Sequence, residues 1–266
     1  MLRPQRLLNN PAAAAGIVER FSRSERFLGA SYATVRDYCE SRAELPQITG
    51  IDGDLKNVQR PWAVKAILAN LPPPARLLEI GGGEPIASGF LSELGYDVTL
   101  VDPYEGFGNG PVDYHRYVQL FPYVKIVREY FRPGLAHWRP HSFDAIFSIS
   151  VLEHLTVDSL PACFDAMAEF LAPNGASIHC FDFIIQGHGD AYDLLHAEKT
   201  LVEQDRITGG NNAASFAALL ERLRADLETF YLSPQGHDQW RGGQAYANFP
   251  FRKVVSLQTI ARTPAA

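Results

Sequence analysis

The sequence has 266 residues, with 24 Lys and Arg against 30 Asp and Glu, which gives a net charge of −6 at pH 7. This length suits one large α/β domain with an appended region better than two independent domains. Because the chain is acidic and has no basic run, nucleic acid is a poor candidate substrate. The three cysteines have no Cys-x-x-Cys spacing, which favours a reducing cytoplasm without disulfides.

Residues 1–70 show mostly helical patterning, most clearly at 32–40 and 61–68. A polar, glycine-containing segment at 49–60 separates the two. Polar side chains near the N-terminus interrupt the apolar core that a signal peptide would need. No apolar run approaches the length of a membrane span, so no contact with a membrane is expected.

From residue 75 onward, strand and helix signals alternate, which predicts a parallel sheet with crossover helices. The predicted strands are 76–80, 97–102, 124–129, 143–149, 176–184, 228–232 and 253–260. The predicted helices are 86–94, 159–171 and 213–227. The Pro-Asn-Gly segment at 172–175 is expected to end the second of these helices and to lead into the fifth strand.

A glycine loop follows the first predicted strand. Residues 77–85 read Leu-Leu-Glu-Ile-Gly-Gly-Gly-Glu-Pro, and Asp102 closes the next strand. The glycines allow a sharp turn and a close approach of the backbone to a ligand. Asp102 stands where a doubly wound sheet places a carboxylate against the hydroxyls of a ribose. Together these features predict a nucleoside ligand.

The charge around this loop indicates which nucleoside. Glu79 and Glu84 flank the glycines, and residues 77–95 contain no Lys or Arg. Two carboxylates repel the pyrophosphate that a dinucleotide fold must bind. They suit S-adenosylmethionine, which carries an ammonium and a sulfonium. A nicotinamide-dependent oxidoreductase and a non-catalytic nucleoside-binding module on the same fold are the alternatives.

Three segments resemble motifs of the class I S-adenosylmethionine-dependent methyltransferases. They are Leu-Glu-Ile-Gly-Gly-Gly at 78–83, Leu-Val-Asp at 100–102, and Phe-Asp-Ala-Ile-Phe-Ser-Ile-Ser-Val-Leu-Glu-His-Leu at 143–155. The resemblance implies an α/β, Rossmann-like, doubly wound and mostly parallel seven-stranded sheet with an antiparallel last strand. It also implies an N-terminal helical cap at 1–70 and a methyltransferase domain at 71–266. The alternative for 1–70 is a helix pair packed on the back of the sheet.

The resemblance further implies the residues that bind the cofactor. In such enzymes the glycine loop bounds the methionine part, the second-strand acid holds the ribose, and the segment after the third strand covers adenine. One departure is Glu84-Pro85, which stands where the family has a third loop glycine. Carried onto this sequence, the cofactor-binding set is Glu79, Gly81, Gly83, Asp102, Tyr130, Phe131 and Ser148.

Candidate acid–base residues follow the fourth and fifth strands. A hydroxyl acceptor must lose its proton, and His154, Asp182 and His188 lie at the sheet edge where open α/β folds bind ligands. Each has a structural alternative, since His154 can simply close a helix turn. Ser150-x-x-Glu153 has the spacing of a capping box, which predicts a structural Glu153. No spacing matches a metal site, so no metal is expected.

Residues 236–253 mix aromatic residues, Arg and Gly, a composition typical of sites for carbohydrate or other polar acceptors. A hairpin that seals the sheet edge is the alternative. The sequence therefore predicts a cytoplasmic, S-adenosylmethionine-dependent methyltransferase. Its expected acceptor is a small or carbohydrate-like molecule, methylated at oxygen rather than nitrogen.

Overall fold

The computed structural model describes residues 2–8, 10–25, 27–106, 110–186, 194–236 and 253–265. Within these residues, seven strands form one sheet flanked by α-helices. The strands are β1 (Gly29–Tyr32), β2 (Arg76–Ile80), β3 (Asp97–Val101), β4 (Lys125–Val127), β5 (Phe143–Ile149), β6 (Leu171–Gln186) and β7 (Lys253–Arg262). The helices are α1 (Pro11–Ser22), α2 (Val35–Glu44), α3 (Lys56–Asn70), α4 (Ile86–Glu93), α5 (Tyr114–Leu120), α6 (Leu160–Phe170), α7 (Leu194–Thr208) and α8 (Asn212–Ala225).

The strand order is β1-β7-β6-β5-β2-β3-β4. All neighbours from β4 to β6 pair in parallel, whereas β7 runs antiparallel to both β6 and β1. The chain leaves β2 towards β3 and later returns to β5 on the other side of β2. This reversal creates the crevice at the carboxyl ends of the strands where open α/β sheets bind ligands. The predicted seven-stranded, mostly parallel sheet is confirmed.

Both faces of the central strands are buried, as a parallel sheet covered by helices requires. Successive side chains on a strand point to opposite faces. Leu77 accordingly packs with α1, α3 and α4 on one face, and its neighbour Leu78 packs with α6 on the other. The mostly apolar composition of β2 and β5 is the reason that the sequence predicts both strands with their observed bounds.

One of the seven strands is not among those that the sequence predicts. Segment 228–232 forms no strand; it makes an isolated bridge between Thr229 and Thr34, and the Leu232 N–H donates to the Val254 carbonyl. The edge position beside β7 belongs to β1, which lies in the N-terminal region predicted as helical. All four β1 residues are partly buried, and they show no apolar alternation that could mark a strand. Their pairing with β7 is a long-range contact that a local pattern does not encode.

Other local features differ from the sequence prediction. Helix α7 has 15 residues and was not predicted from the sequence. The segment 172–175 lies inside β6 instead of separating it from α6. The register between β5 and β6 shifts at Phe143 and Ala145, so the extra residues are absorbed as an irregularity of the strand.

We expect that removing one hydroxyl loosens the attachment of β1. Tyr32 donates a hydrogen bond of 2.9 Å to Asp226, just beyond α8. A partly buried hydrogen bond contributes about 0.5–1.5 kcal/mol. Tyr32→Phe should therefore lower the free energy of unfolding in urea by about that amount. Tyr130→Phe is the matched control, because its hydroxyl also bonds a carboxylate but is exposed. Equal stability of the two variants would contradict this role for Tyr32.

Candidate functional site

A cavity of about 960 Å³ opens at the carboxyl ends of β2, β3 and β5. Its walls are the glycine loop after β2, the loop after β3, the segment after β5, and the first turns of α3. The cavity has the size and the location expected for a small-molecule site in this kind of sheet. Of the predicted site residues, those that line it are Glu79, Gly81, Gly83, Asp102, Tyr130, Phe131, His154 and Asp182.

The glycine loop has a backbone path that requires glycine. Gly81 and Gly83 have φ angles of 62° and 45°, in the left-handed region. A Cβ atom at Gly81 would lie 2.7 Å from a methyl carbon of Val151, and one at Gly83 would lie 2.9 Å from Pro111. The loop therefore has no room for a side chain at either position, and the residues that crowd it, Val151 and Pro111, also line the cavity.

Asp102 joins the glycine loop to the loop after β3. Its Oδ2 accepts a hydrogen bond from the Gly83 N–H (3.1 Å), and its Oδ1 accepts one from the Tyr104 N–H (2.6 Å). The Tyr104 hydroxyl donates back to the Gly83 carbonyl at 2.9 Å. Burial raises the pKa of Asp102, while the two N–H groups oppose this shift. A carboxylate has about four acceptor positions, so Asp102 can still accept bonds from a ligand.

Glu79 is the next-to-last residue of β2. It is buried, and its Oε2 accepts hydrogen bonds from the Ser88 N–H (3.1 Å) and the Ser88 hydroxyl. Burial raises the pKa of Glu79 to about 7, against the lowering effects of Ser88 and Arg60. Glu79 thus links the end of the strand to α4 and keeps an ionisable group at the cavity wall.

Another part of the cavity wall carries a second charged group of residues. Asp182 Oδ1 accepts a hydrogen bond from Gln59 Nε2 at 2.8 Å. Lys56 reaches the same wall from the start of α3, and His154 lies in the 3-10 turn after β5. Burial raises the pKa of Asp182 to about 7, and it lowers the pKa values of Lys56 and His154.

The capping box predicted at Ser150 and Glu153 is wrong. The 3-10 turn at Leu152–His154 has no side-chain cap. The Ser150 hydroxyl instead donates to Glu153 Oε1 (2.8 Å), and this oxygen also accepts from the Asp182 N–H (3.1 Å). A single 3-10 turn offers few free N–H groups, so the buried carboxylate bonds across to β6.

The remaining predicted site residues differ in their placement. Tyr130 is exposed at the cavity rim and donates to Glu105 at 2.6 Å, and Phe131 packs against Phe170. Ser148 does not reach the cavity, because it is buried in β5 and bonded to Nδ1 of His179 on β6 at 2.8 Å. His188 lies outside the described residues, as do residues 237–252 of the predicted acceptor stretch.

Residues 40–182, which include every residue that lines this cavity, match a family model described as a methyltransferase domain. This match covers more than half of the chain. The chain belongs to the methyltransferase domain family. Enzymes of its class I branch transfer a methyl group from S-adenosylmethionine.

The known relatives leave the acceptor open. Two uncharacterized proteins of Mycobacterium tuberculosis, from strains CDC 1551 / Oshkosh and ATCC 25618 / H37Rv, are 35% identical over 119 residues. The matched part spans 42% of this methyltransferase and 37% of the length of each relative.

Solved structures share the fold. Geranyl diphosphate C-methyltransferase from Streptomyces coelicolor A3(2), in complex with Mg²⁺, geranyl diphosphate and S-adenosyl-L-homocysteine, superposes with a TM-score of 0.50 at 10% identity. That match covers 94% of this chain and 97% of the other. The cyclase SpnF matches with a TM-score of 0.50 at 12% identity, covering 100% of this chain and 99% of its own. At these identities the likeness concerns the fold alone.

Sequence reasoning missed two cations of the methyltransferase site. Lys56 and Arg60 both line the cavity, and Arg60 lies 3.4 Å from Glu84 across its mouth. Their spacing of four residues places them on one face of α3, which was the available signal. In the described part of the chain, no helix is long and apolar enough to cross a membrane. Those residues also contain no group of three or more His, Cys, Asp or Glu that could hold a metal ion.

We expect that a side chain added to the glycine loop weakens ligand binding. Gly81→Ala places a Cβ against Val151 at positive φ, so it should weaken binding of S-adenosylhomocysteine by about tenfold or more in calorimetry. The double variant Gly81→Ala/Val151→Ala should recover part of the loss, because it removes the clash but not the φ strain. Gly16→Ala is the control, since nothing lies within 4 Å of its Cβ position. Unchanged affinity in Gly81→Ala would show that the turn does not need glycine.

Proposed function

We propose that this methyltransferase transfers the methyl group of S-adenosylmethionine to a hydroxyl oxygen of a small or carbohydrate-like acceptor. The donor supplies an electrophilic methyl group on a sulfonium. The protein has to bind the donor, align the acceptor and receive the acceptor's proton.

The formal charge of the cavity is the observation that supports S-adenosylmethionine as the donor. Two cations, Lys56 and Arg60, line it. The carboxylates that line it are Glu79, Glu84, Asp102, Glu105 and Asp182. This excess of negative charge favours a ligand with an ammonium and a sulfonium, and it opposes the pyrophosphate of a nicotinamide dinucleotide. The oxidoreductase alternative is therefore disfavoured.

The positions of the wall residues support individual roles. Asp102 is assigned to the two ribose hydroxyls, and the loop at Gly81 and Gly83 to the methionine part. Tyr130 and Phe131, on the segment after β4, flank the end assigned to adenine. Arg60 is a suitable partner for the carboxylate of the methionine part, because it faces the glycine loop at the mouth.

We expect donor binding to depend on the charge of Asp102. Hydrogen bonds to charged groups contribute about 1.5–3 kcal/mol, so Asp102→Ala should weaken S-adenosylhomocysteine by about tenfold or more in calorimetry. Asp102→Asn keeps one oxygen for a loop N–H group but removes the charge, and it should show most of the same loss. NAD should not bind the unmodified protein. Binding of NAD without S-adenosylhomocysteine would sink the assignment of the donor, and no binding of either would favour another role for the fold.

A buried base supports oxygen as the methylated atom. A hydroxyl that keeps its proton is a weak nucleophile, so its methylation needs a group that takes the proton. Asp182 lines the cavity with a pKa near 7, and His154 lies beside it in the neutral state that its lowered pKa favours. We assign Asp182 as the base because Gln59 fixes the direction of its carboxylate. His154 is the second candidate, and His188 remains a third.

The role of the base can be tested once an acceptor is found by screening. Asp182→Asn should lower kcat by about 10²–10⁴-fold while S-adenosylhomocysteine binds almost as before. In the unmodified enzyme, kcat should fall as the pH drops through about 7, because protonated Asp182 cannot accept a proton. A large loss in His154→Ala together with a small loss in Asp182→Asn would transfer the role to His154.

The N-terminal region both lines the cavity and packs on the sheet. The first turn of α3 brings Lys56 and Arg60 to the cavity, which supports a cap formed by residues 1–70. The later turns of α3 pack on the sheet through Ala63, Val64 and Ile67. We assign the enzyme to the cytoplasm with a small molecule as its acceptor. The carbohydrate-like character still depends on the composition of residues 236–253.

A further inference from the structure

A buried cluster at the inner wall of the cavity joins three parts of the fold. Lys56 and Gln59 come from the first turns of α3, Glu153 follows β5, and Asp182 lies on β6. Gln59, Glu153 and Asp182 are almost fully buried, with exposures of 0%, 0% and 2%. The donor roles proposed above use none of these residues.

The contacts in the cluster fix Asp182 from two sides. Glu153 Oε1 holds the backbone N–H of Asp182, and the Gln59 amide holds Oδ1 of its side chain. Gln59 is itself held, because the Cys180 thiol donates to its carbonyl at 3.6 Å. Asp182 and Lys56 line the cavity, whereas Glu153 and Gln59 stand behind them.

The cluster contains more hydrogen-bond acceptors than donors. Within the described residues, Glu153 Oε2 and Gln59 Oε1 are buried and have no hydrogen-bond partner. The charge of Lys56 acts on both carboxyl groups, so the two share one nearby ammonium. A buried, uncompensated carboxylate is unfavourable in a low-dielectric site, and a proton relieves it.

We propose that Asp182, Glu153 and Lys56 form one proton-accepting unit that takes the proton from the hydroxyl of a neutral acceptor. Asp182 is the catalytic residue of the unit, because it faces the cavity. Glu153 is a positioning residue that fixes the Asp182 backbone and adds negative charge behind it. Lys56 compensates one of the two carboxylates and leaves the other to receive the proton. The proposal rests on the function proposed above.

The chemical step conserves the charge of the cavity. The acceptor oxygen bonds to the methyl carbon, the sulfur–carbon bond breaks with its electron pair moving to sulfur, and the hydroxyl proton moves to Asp182. The sulfonium becomes a neutral thioether while the carboxylate becomes a neutral acid. No net charge is created in a partly closed site, where an unbalanced charge is costly.

The titration properties of the surrounding groups agree with this role. Burial and then the charge of Glu153 raise the pKa of Asp182, whereas Lys56, Gln59 and His154 lower it. Burial raises the pKa of Glu153 as well. From α3, Arg60 acts on Lys56, and on β6 itself Cys180 keeps a raised pKa, so it stays a thiol. On the α7 side, His196 bonds the Leu155 carbonyl, and β7 presents Ser256 beside Asp182.

The unit predicts a proton linkage that can be measured without knowing the acceptor. S-adenosylmethionine and S-adenosylhomocysteine differ by the charge on sulfur. Calorimetric titration of the full chain with each ligand at pH 7, in two buffers of different ionisation enthalpy, gives the protons exchanged on binding. We expect S-adenosylhomocysteine to leave the protein with more bound protons, by about half a proton, since a group with a pKa near the working pH is half ionised.

Variants of single residues identify the group that takes up the proton. Asp182→Asn and Glu153→Gln should each remove most of the difference between the two ligands, while Glu221→Gln, an exposed carboxylate on α8, should leave it unchanged. Lys56→Met should move the linkage to higher pH, because it removes the compensating cation. This last variant keeps the proposal testable where a carboxyl variant does not fold.

Glu79 is the alternative source of this proton difference, because it too is a buried carboxyl at the cavity wall. A difference that disappears in Glu79→Gln and persists in both Asp182→Asn and Glu153→Gln would overturn the proposal. An unchanged linkage in Lys56→Met would also overturn the role of Lys56. Failure of both ligands to bind the unmodified protein would reject the proposed function itself. Binding without any proton difference would reject only the unit.

Discussion

The carboxylate of Asp102 holds two loops in place at once. Its two oxygens accept the N–H groups of Gly83 and Tyr104, and the Tyr104 hydroxyl returns to the Gly83 carbonyl. A carboxylate at this depth loses part of its hydration, so charge-assisted bonds to backbone donors have to replace water. The same bonds fix the path of the glycine loop. This end of the cavity therefore depends on one side chain at the end of β3.

The charge of the site follows from the topology of the sheet. Parallel strands end at one edge, so acids that close consecutive strands meet around one cavity. Glu79 and Asp102 meet in this way, and Asp182 joins them from β6. Their compensation comes from elsewhere in the chain, because Lys56 and Arg60 lie on α3, which precedes the parallel strands in sequence. The site combines strand-end acids with helix-borne cations, an arrangement that suits a ligand carrying both signs of charge.

Polar residues on the central strands have two different uses. Ser148 is bonded to Nδ1 of His179, whose Nε2 is bonded to Ser177, and Gln204 of α7 donates to the Ser177 carbonyl. This network is buried and shares no residue with the cavity wall. Burial lowers the pKa of His179 to about 3, so its ring stays neutral and serves the packing of β5, β6 and α7. Two residues further along, Ser150 belongs to the cavity, which shows how narrow the border is between core and site.

The sequence by itself determined the parts of the protein that local physics controls. Mostly apolar segments predicted β2 and β5, and a glycine loop followed by a strand-end acid predicted the place of Gly81, Gly83 and Asp102 at the cavity. These features need only a few neighbouring residues, because strand burial and positive φ angles are written in the local pattern.

Only the tertiary structure decided the features that depend on contacts between distant segments. It chose β1 over segment 228–232 as the edge strand beside β7, although neither has a strong apolar alternation. It turned Glu153 from a predicted cap into a partner of Asp182, and it brought Lys56 to the same wall. A buried charge is stable only beside groups that compensate it, and those groups come from parts of the chain that sequence spacing does not connect.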